Sequence, residues 1–207
     1  SVMVKRAEGS ESHQQALQKN MLEIEKIRLS NDNAAIKGLN DQLNAEQLFV
    51  SINENTNSIA TIVKHLSGNM LSRWTDFLTT DGEKEWRNRD SEFDSLFQGN
   101  DKDELLAIWN KGWDCFFEAL NGLQVEQLSK IIYIRNEGHT VIEAINRQLA
   151  DYPYHVGQIV FYTKMLKKSE WTSLSIPKNK SKSYKSEKFS KEKSIKNFTD
   201  DELNKLK

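Results

Sequence analysis

Residues 140–166, TVIEAINRQLADYPYHVGQIVFYTKML, read as one long helix that begins near His139 or Thr140 and runs to about Lys168. Lys164, Lys167 and Lys168 suit the negative end of its dipole. Tyr, Ile, Val, Phe and Leu dominate its second half, yet Asp151 and His155 stand four apart there. That spacing puts a carboxylate and an imidazole on one face, about 5 to 6 Å apart at Cβ. Gln158 continues the same face one turn later.

Three further helices are expected upstream. The first runs from about Glu11 to Leu39, with Leu17, Met21, Ile24, Ile27 and the Ala34–Ile36 stretch near helical spacing. A second follows Asn57 or Ser58 as cap and carries Ile59, Ile62, Val63, Leu66, Met70, Leu71, Trp74 and Phe77 to about Leu78. The third opens at the acidic GNDKDE (99–104) and holds Leu105, Ile108, Trp109, Cys115, Phe116 and Leu120 before Gly122. Between the second and third lies TTDGEKEWRNRDSEFDSLFQG (79–99), which has no clear period; loops of that length are usually functional or disordered. Trp86 and Phe93 argue for order. KIIYIRNEGHT (130–140), with its β-branched residues and glycine, suits a short extended turn or small hairpin.

Composition narrows the class. Charged residues form 29% of the 207 and balance to a net charge of -1, and proline occurs only twice, which favours long helices. The fold class expected is all-α: a single domain over 11–177 followed by a Lys-rich C-terminal extension over 178–207. One cysteine allows no intrachain disulfide, and SVMVKRAEGSES lacks the apolar core of a secretory signal, so a cytoplasmic location is expected. No apolar run approaches the ~20 residues of a membrane span. Residues 178–207 carry ten Lys, no Arg and five acids. Phosphate contacts through Lys with stacking on Tyr184, Phe189 and Phe198 are one reading of that tail. The absence of Arg and the slightly acidic whole favour a solvated appendage, so nucleic acid is not expected as a partner. Thr199 and Glu202 in FTDDELNKL could form a capping box for a short terminal helix.

Four histidines are available: His13, His65, His139 and His155. On a continuous last helix His139 and His155 lie about 24 Å apart, too far to share an ion within one chain. His65 sits among apolar residues of the second helix, with Asn69 and Arg73 following at i+4 and i+8 as a polar stripe. If the second and fourth helices face each other, His65, Asp151 and His155 form a two-His, one-carboxylate set with open coordination positions. Asn69 and Gln158 would then orient ligands or hold water. The plainer reading makes a lone His a hydrogen-bonded core residue and Asp151 an exposed acid. Pro153, which removes a backbone N–H, can kink the helix between Asp151 and His155.

NSIATIVKHLSGNMLSRWTDFLTTDGEKEWRNRD (57–90), TVIEAINRQLADYPYHVGQIVFYTKML and WTSLSIPK (171–178) resemble the DinB/YfiT-like superfamily, in a bacterial branch of mostly unassigned function. The resemblance covers roughly residues 15–180. It implies an antiparallel four-helix bundle with a long connection between the second and third helices, and a homodimer. It also implies a metal pocket of three histidines, one on the second helix and two at H-x-x-x-H on the fourth, leading into Gly-Gln. His65 and His155 occupy two of those positions, and Gly157 with Gln158 the last pair; Asp151 stands where the remaining histidine would be. A divalent ion, zinc, nickel or iron, is the implied cofactor, its choice shifted by the harder carboxylate. Some superfamily members resemble thiol-dependent transferases, so a metal-dependent enzyme acting on a small molecule with a low-molecular-weight thiol is one expectation. A non-catalytic bundle that binds a small molecule or a partner is the other.

Remaining candidates are weaker. Cys115, beside Phe116 and Phe117, reads as packing rather than nucleophile. Trp74, Trp109 and Trp113 read as core. Arg73, Arg87 and Arg89 read as solvated surface, with an anion-facing rim as the alternative. No P-loop, dinucleotide-binding glycine pattern or Ser-His-Asp signature with supporting context is present.

Overall fold

Asn44 opens the first complete helix, α1 (Ala45–Phe49), by accepting the Gln47 N–H while the Gln47 side chain accepts the Asn44 N–H. The computed structural model describes residues 41–93, 102–174 and 176–193, together with Leu22, Lys26, Ser30, Asp32 and Asn33. Those five isolated residues are helical. The rest of the predicted first helix, His13, the 99–101 part of the acidic cap, Phe198 and the Thr199–Glu202 capping box lie outside the described residues.

Ser58 caps α2 (Ile59–Trp74), accepting the Thr61 N–H at 3.1 Å. Helix α3 (Lys102–Asn121) buries Leu105, Trp109, Gly112, Trp113, Phe116 and Leu120, a 4-3-1-3-4 spacing that makes one stripe, and carries Asp103 and Glu104 at its positive end. Thr140 and Glu143 form the capping box of α4 (Val141–Lys167), which continues through Pro153 and ends in Lys164 and Lys167. Helix α5 (Ser181–Phe189) belongs to the Lys-rich extension and buries nothing; Phe189 is 86% exposed. The described residues are thus mostly helical. None of their helices is long and apolar enough to cross a membrane.

The segment before α4 is a small hairpin, β1 (Ile131–Ile134) paired antiparallel with β2 (Glu137–Thr140). Arg135 and Asn136 at its turn have φ of 55° and 61°, the pair of positive values that a two-residue turn of the right twist requires. Ile132 and Ile134 face the core while Ile131 and Tyr133 face out.

Trp74, Trp113, Phe116 and Tyr152 meet edge to face or tilted at centroid distances of 4.9 to 5.7 Å, joining α2, α3 and α4 around one aromatic core. Helix α4 runs antiparallel to α2, because His65 meets His155 while Asn69 and Trp74 meet Tyr152. Helix α3 does not follow the antiparallel succession expected from the sequence. Ser67 bonds the Ile108 carbonyl and Thr75 touches Cys115, so α2 and α3 ascend together. The 75–101 connection is long enough to return the chain along the ~24 Å of α2 before α3 begins. Cys115 itself is half-buried against the core, as a packing residue should be.

Close approach of α2 and α3 depends on Gly112. A Cβ there would lie 2.8 Å from the Ser67 Cα, a backbone atom that cannot swing aside. Gly112→Ala should therefore lower stability by about 1–3 kcal/mol in urea titrations. Gly122→Ala, whose Cβ would meet nothing nearer than 3.5 Å, should leave the midpoint almost unchanged.

Candidate functional site

Helix α2 carries a polar stripe, His65, Asn69 and Arg73, that is turned toward protein. His65 is 8% exposed. Its Nδ1 lies 2.9 Å from Oε2 of Glu92, a carboxylate delivered by the short 3-10 turn Asp90–Glu92 at the end of the described loop. Gly68 makes this possible: a Cβ at that position would come within 2.2 Å of Glu92 Oε1. Arg87 clasps the other side of the same carboxylate, with Nε donating to Oε1 at 2.8 Å and Nη2 to Oε2 at 3.0 Å. Its side chain is 3% exposed. Glu83 lies 3.7 Å from Arg87 and 2.9 Å from Arg135, so charges of alternating sign run from His65 to the hairpin turn.

Burial opposes ionisation of Glu92, but the hydrogen bonds from His65 and Arg87 and the guanidinium charge outweigh it, leaving its pKa below the ordinary value. An ionised carboxylate only accepts, so Nδ1 of His65 carries the hydrogen. The ring's other nitrogen, Nε2, is left for whatever the seam between α2 and α4 brings to it.

His155 is arranged in the same way. Its Nδ1 donates to the Gln158 Oε1 at 2.9 Å, one turn along α4. The two imidazole centroids are 5.2 Å apart at an interplanar angle of 69°. Phe93 flanks His65 at 5.0 Å and Tyr154 flanks His155 at 5.0 Å. Beside Gln158 a cleft of about 280 Å³ opens, lined by Ile52, Asn55, Ile62, Phe161 and Met165 among others.

The other expected residues fare differently. Asp151 is half-buried and makes no hydrogen bond or ion pair among the described residues. No group of three His, Cys, Asp or Glu side chains able to hold a metal ion occurs among those residues. Asn69 makes a structural bond: its Oδ1 accepts the Tyr152 hydroxyl at 3.2 Å, and that hydroxyl accepts the Trp74 Nε1–H at 3.1 Å. Tyr152 is fully buried, and burial pushes its pKa well above the ordinary value. Arg73 and Arg87 are not solvated surface, since Arg73 is 4% exposed and Arg87 lies inside the ion pair with Glu92. Glu92 and Arg87 are the site residues that the sequence did not disclose. Their stretch lacks a period, and the one available signal was its density of charge around Trp86 and Phe93.

The loop is held in place by Asp81. Its carboxylate accepts the N–H groups of Glu83, Arg135 and Asn136 at 2.7 to 2.8 Å. Burial works against its ionisation, yet those three bonds and the charge of Lys84 bring its pKa below the ordinary value. Gly82 bonds the Tyr133 carbonyl through its N–H and the Ser72 hydroxyl through its C=O. Loop, hairpin and α2 thereby fix where Glu92 arrives.

No curated protein matches the chain. A family model described as "Protein of unknown function (DUF1572)" matches residues 15–180, which spans the hairpin, α1 to α4 and the loop that carries Glu92. The chain belongs to that family.

Proposed function

We propose that this protein is a divalent-metal-dependent enzyme of the DinB-like kind, a four-helix bundle in which the N-terminal helical residues complete the set formed by α2, α3 and α4. Its proposed reaction is transfer to or from a low-molecular-weight thiol. One observation carries the reading: two imidazoles meet edge to face across α2 and α4, each with Nδ1 committed to an oxygen acceptor. A histidine that binds a metal is ordinarily oriented by such a bond from its other nitrogen, often to a carboxylate. A core histidine needs no second histidine at this distance.

The donor set fits a divalent ion of the zinc, nickel or iron type. His65 and His155 would hold it through Nε2, with Asp151 as the third ligand in this proposal. When bound, such an ion lowers the pKa of a coordinated thiol so that a thiolate is available near neutral pH. The chain's own groups orient and exclude. Glu92 and Gln158 fix the two ring tautomers, Phe93 and Tyr154 flank the rings, and the cleft beside Gln158 has room for a small substrate. A second reading, a metal-free bundle that binds a small molecule, is favoured by the lack of a third convergent ligand among the described residues.

The same proposal takes the protein as a homodimer. Tyr154, Phe161 and Met165 are 62%, 66% and 48% exposed and fall at i, i+7 and i+11 on α4, an apolar face next to the site. Light scattering should then give twice the 24.0 kDa chain mass, and Phe161→Glu should halve it.

Protein prepared without chelator should carry close to one equivalent of metal by elemental analysis. His65→Ala and His155→Ala should each lose it and His139→Ala should keep it. A metal-free wild type that fails to take up zinc, nickel or iron would establish the second reading instead.

Glu92→Gln takes the bidentate carboxylate from the buried Arg87, leaving only the 3.7 Å pairing with Glu83, and should cost about 3 kcal/mol near neutral pH. Because the folded pKa of Glu92 lies below the unfolded one, its contribution is complete above the ordinary carboxylate range and disappears as pH falls through the folded value. The stability gap between wild type and Glu92→Gln in urea titrations should accordingly stay flat at neutral pH and close on acidification.

A further inference from the structure

Among the described residues, Arg73 is a buried charge with two unpaired nitrogens. Arg73 ends the polar stripe of α2, 4% exposed, and neither Nε nor Nη1 makes a hydrogen bond. No ion pair involves any of its nitrogens among the described residues. Leaving a guanidinium buried and uncompensated is costly, and its planar fork is shaped for two parallel bonds to an oxyanion. The carboxylates around it are engaged elsewhere. Glu83 faces Arg87 and Arg135, Glu92 faces His65 and Arg87, and Asp81 is filled by three backbone N–H groups. Desolvation, and then the like charges of Arg147 and Arg87, push the Arg73 pKa below its ordinary value, with Tyr152 and Glu83 opposing. The surroundings are therefore short of negative charge.

The helix register supplies a second polar group. Reading down the antiparallel seam, His65 meets His155 and Asn69 meets Tyr152, so the next turn sets Arg73 at the level of Gln148. Gln148 is 1% exposed and its Oε1 also has no partner. By this register, two buried polar side chains with unpartnered atoms share one level of the α2–α4 seam. Gly82 packs along the stem of Arg73 as far as the edge of its guanidinium: a Cβ there would lie 3.0 Å from Cδ and 3.4 Å from Nε.

We propose that Arg73 anchors an oxyanion-binding site between α2 and α4, taking the carboxylate or phosphate group of a small-molecule ligand, with Gln148 as the second polar contact. The site lies two helical turns, about 12 Å, from His65 along α2. It stands independently of metal binding, since none of its residues is a proposed metal ligand. If both readings hold, the substrate is anionic at the end remote from the histidines.

The test uses the full chain treated with chelator, so that an anion held by a metal cannot contribute. Thermal unfolding is followed against inorganic phosphate and, separately, acetate, at ionic strength held constant with chloride. The wild type should gain Tm saturably with one or both anions, and the better of the two identifies the group. Arg73→Met should weaken that response at least about tenfold while matching or exceeding the wild-type Tm in chloride alone, because it removes an unpaired buried charge. Arg73→Lys should bind with intermediate strength, and His155→Ala should respond like the wild type. An unresponsive wild type, or an equal response from Arg73→Met or, should that variant not fold, from Arg73→Lys, would overturn the site. So would a lower Tm of Arg73→Met in chloride, which would make Arg73 a structural residue with a protein partner.

Discussion

A helix that turns an imidazole, an amide and a guanidinium toward the protein interior has to find partners for them there, and much of the described architecture follows from how α2 meets that demand. Its apolar residues are satisfied by α3 and α4 in the ordinary way. Its polar stripe is not: His65 needs Glu92, and Glu92 needs Arg87 before a carboxylate can be tolerated at 8% exposure. Both come from the loop that follows α2, which must fold back along the helix to deliver them. Gly68 supplies the space. The same return path brings the chain to the start of α3 in the sense that makes α2 and α3 parallel, so the polar pairing and the topology share one cause.

Much of this was legible in the residues. The spacing of Leu105, Trp109, Phe116 and Leu120 fixed a buried helical stripe, the start of α4 was placed near His139 or Thr140, and the β-branched run before Arg135 and Asn136 marked the hairpin. His65 and His155 could be paired because each sits on a periodic helix whose faces can be projected. Glu92 and Arg87 could not, because an aperiodic loop offers no projection and its carboxylates all look alike in one dimension. Arg73 was misjudged for a related reason. Arginine is rarely buried, and the residues whose charges act on it come from two other segments, the loop at Glu83 and Arg87 and the helix at Arg147 and Tyr152. Direction was misjudged too: a connection from 75 to 101 is longer than a simple turn requires, and that surplus was the sign of a crossover.

Asp151 shows where projection along a helix stops being sufficient. Sharing a face with His155 fixes the Cβ positions, but the direction of a short side chain depends on its rotamer and on what lies opposite. Across the seam, Asn69 is bonded to Tyr152, and that hydroxyl to Trp74, so a structural network borders the level of Asp151.

The carboxylate of Asp81 has a consequence for how the chain reaches this state. It joins Arg135 and Asn136 across 54 and 55 residues of sequence, a contact whose loop-closure entropy has to be met before it returns anything. The loop that positions Glu92 and the hairpin turn are thereby tied to each other through one carboxylate. Hairpin and loop are one cooperative unit in that sense, and the environment of His65 is only as durable as the two-residue turn to which the loop is tied.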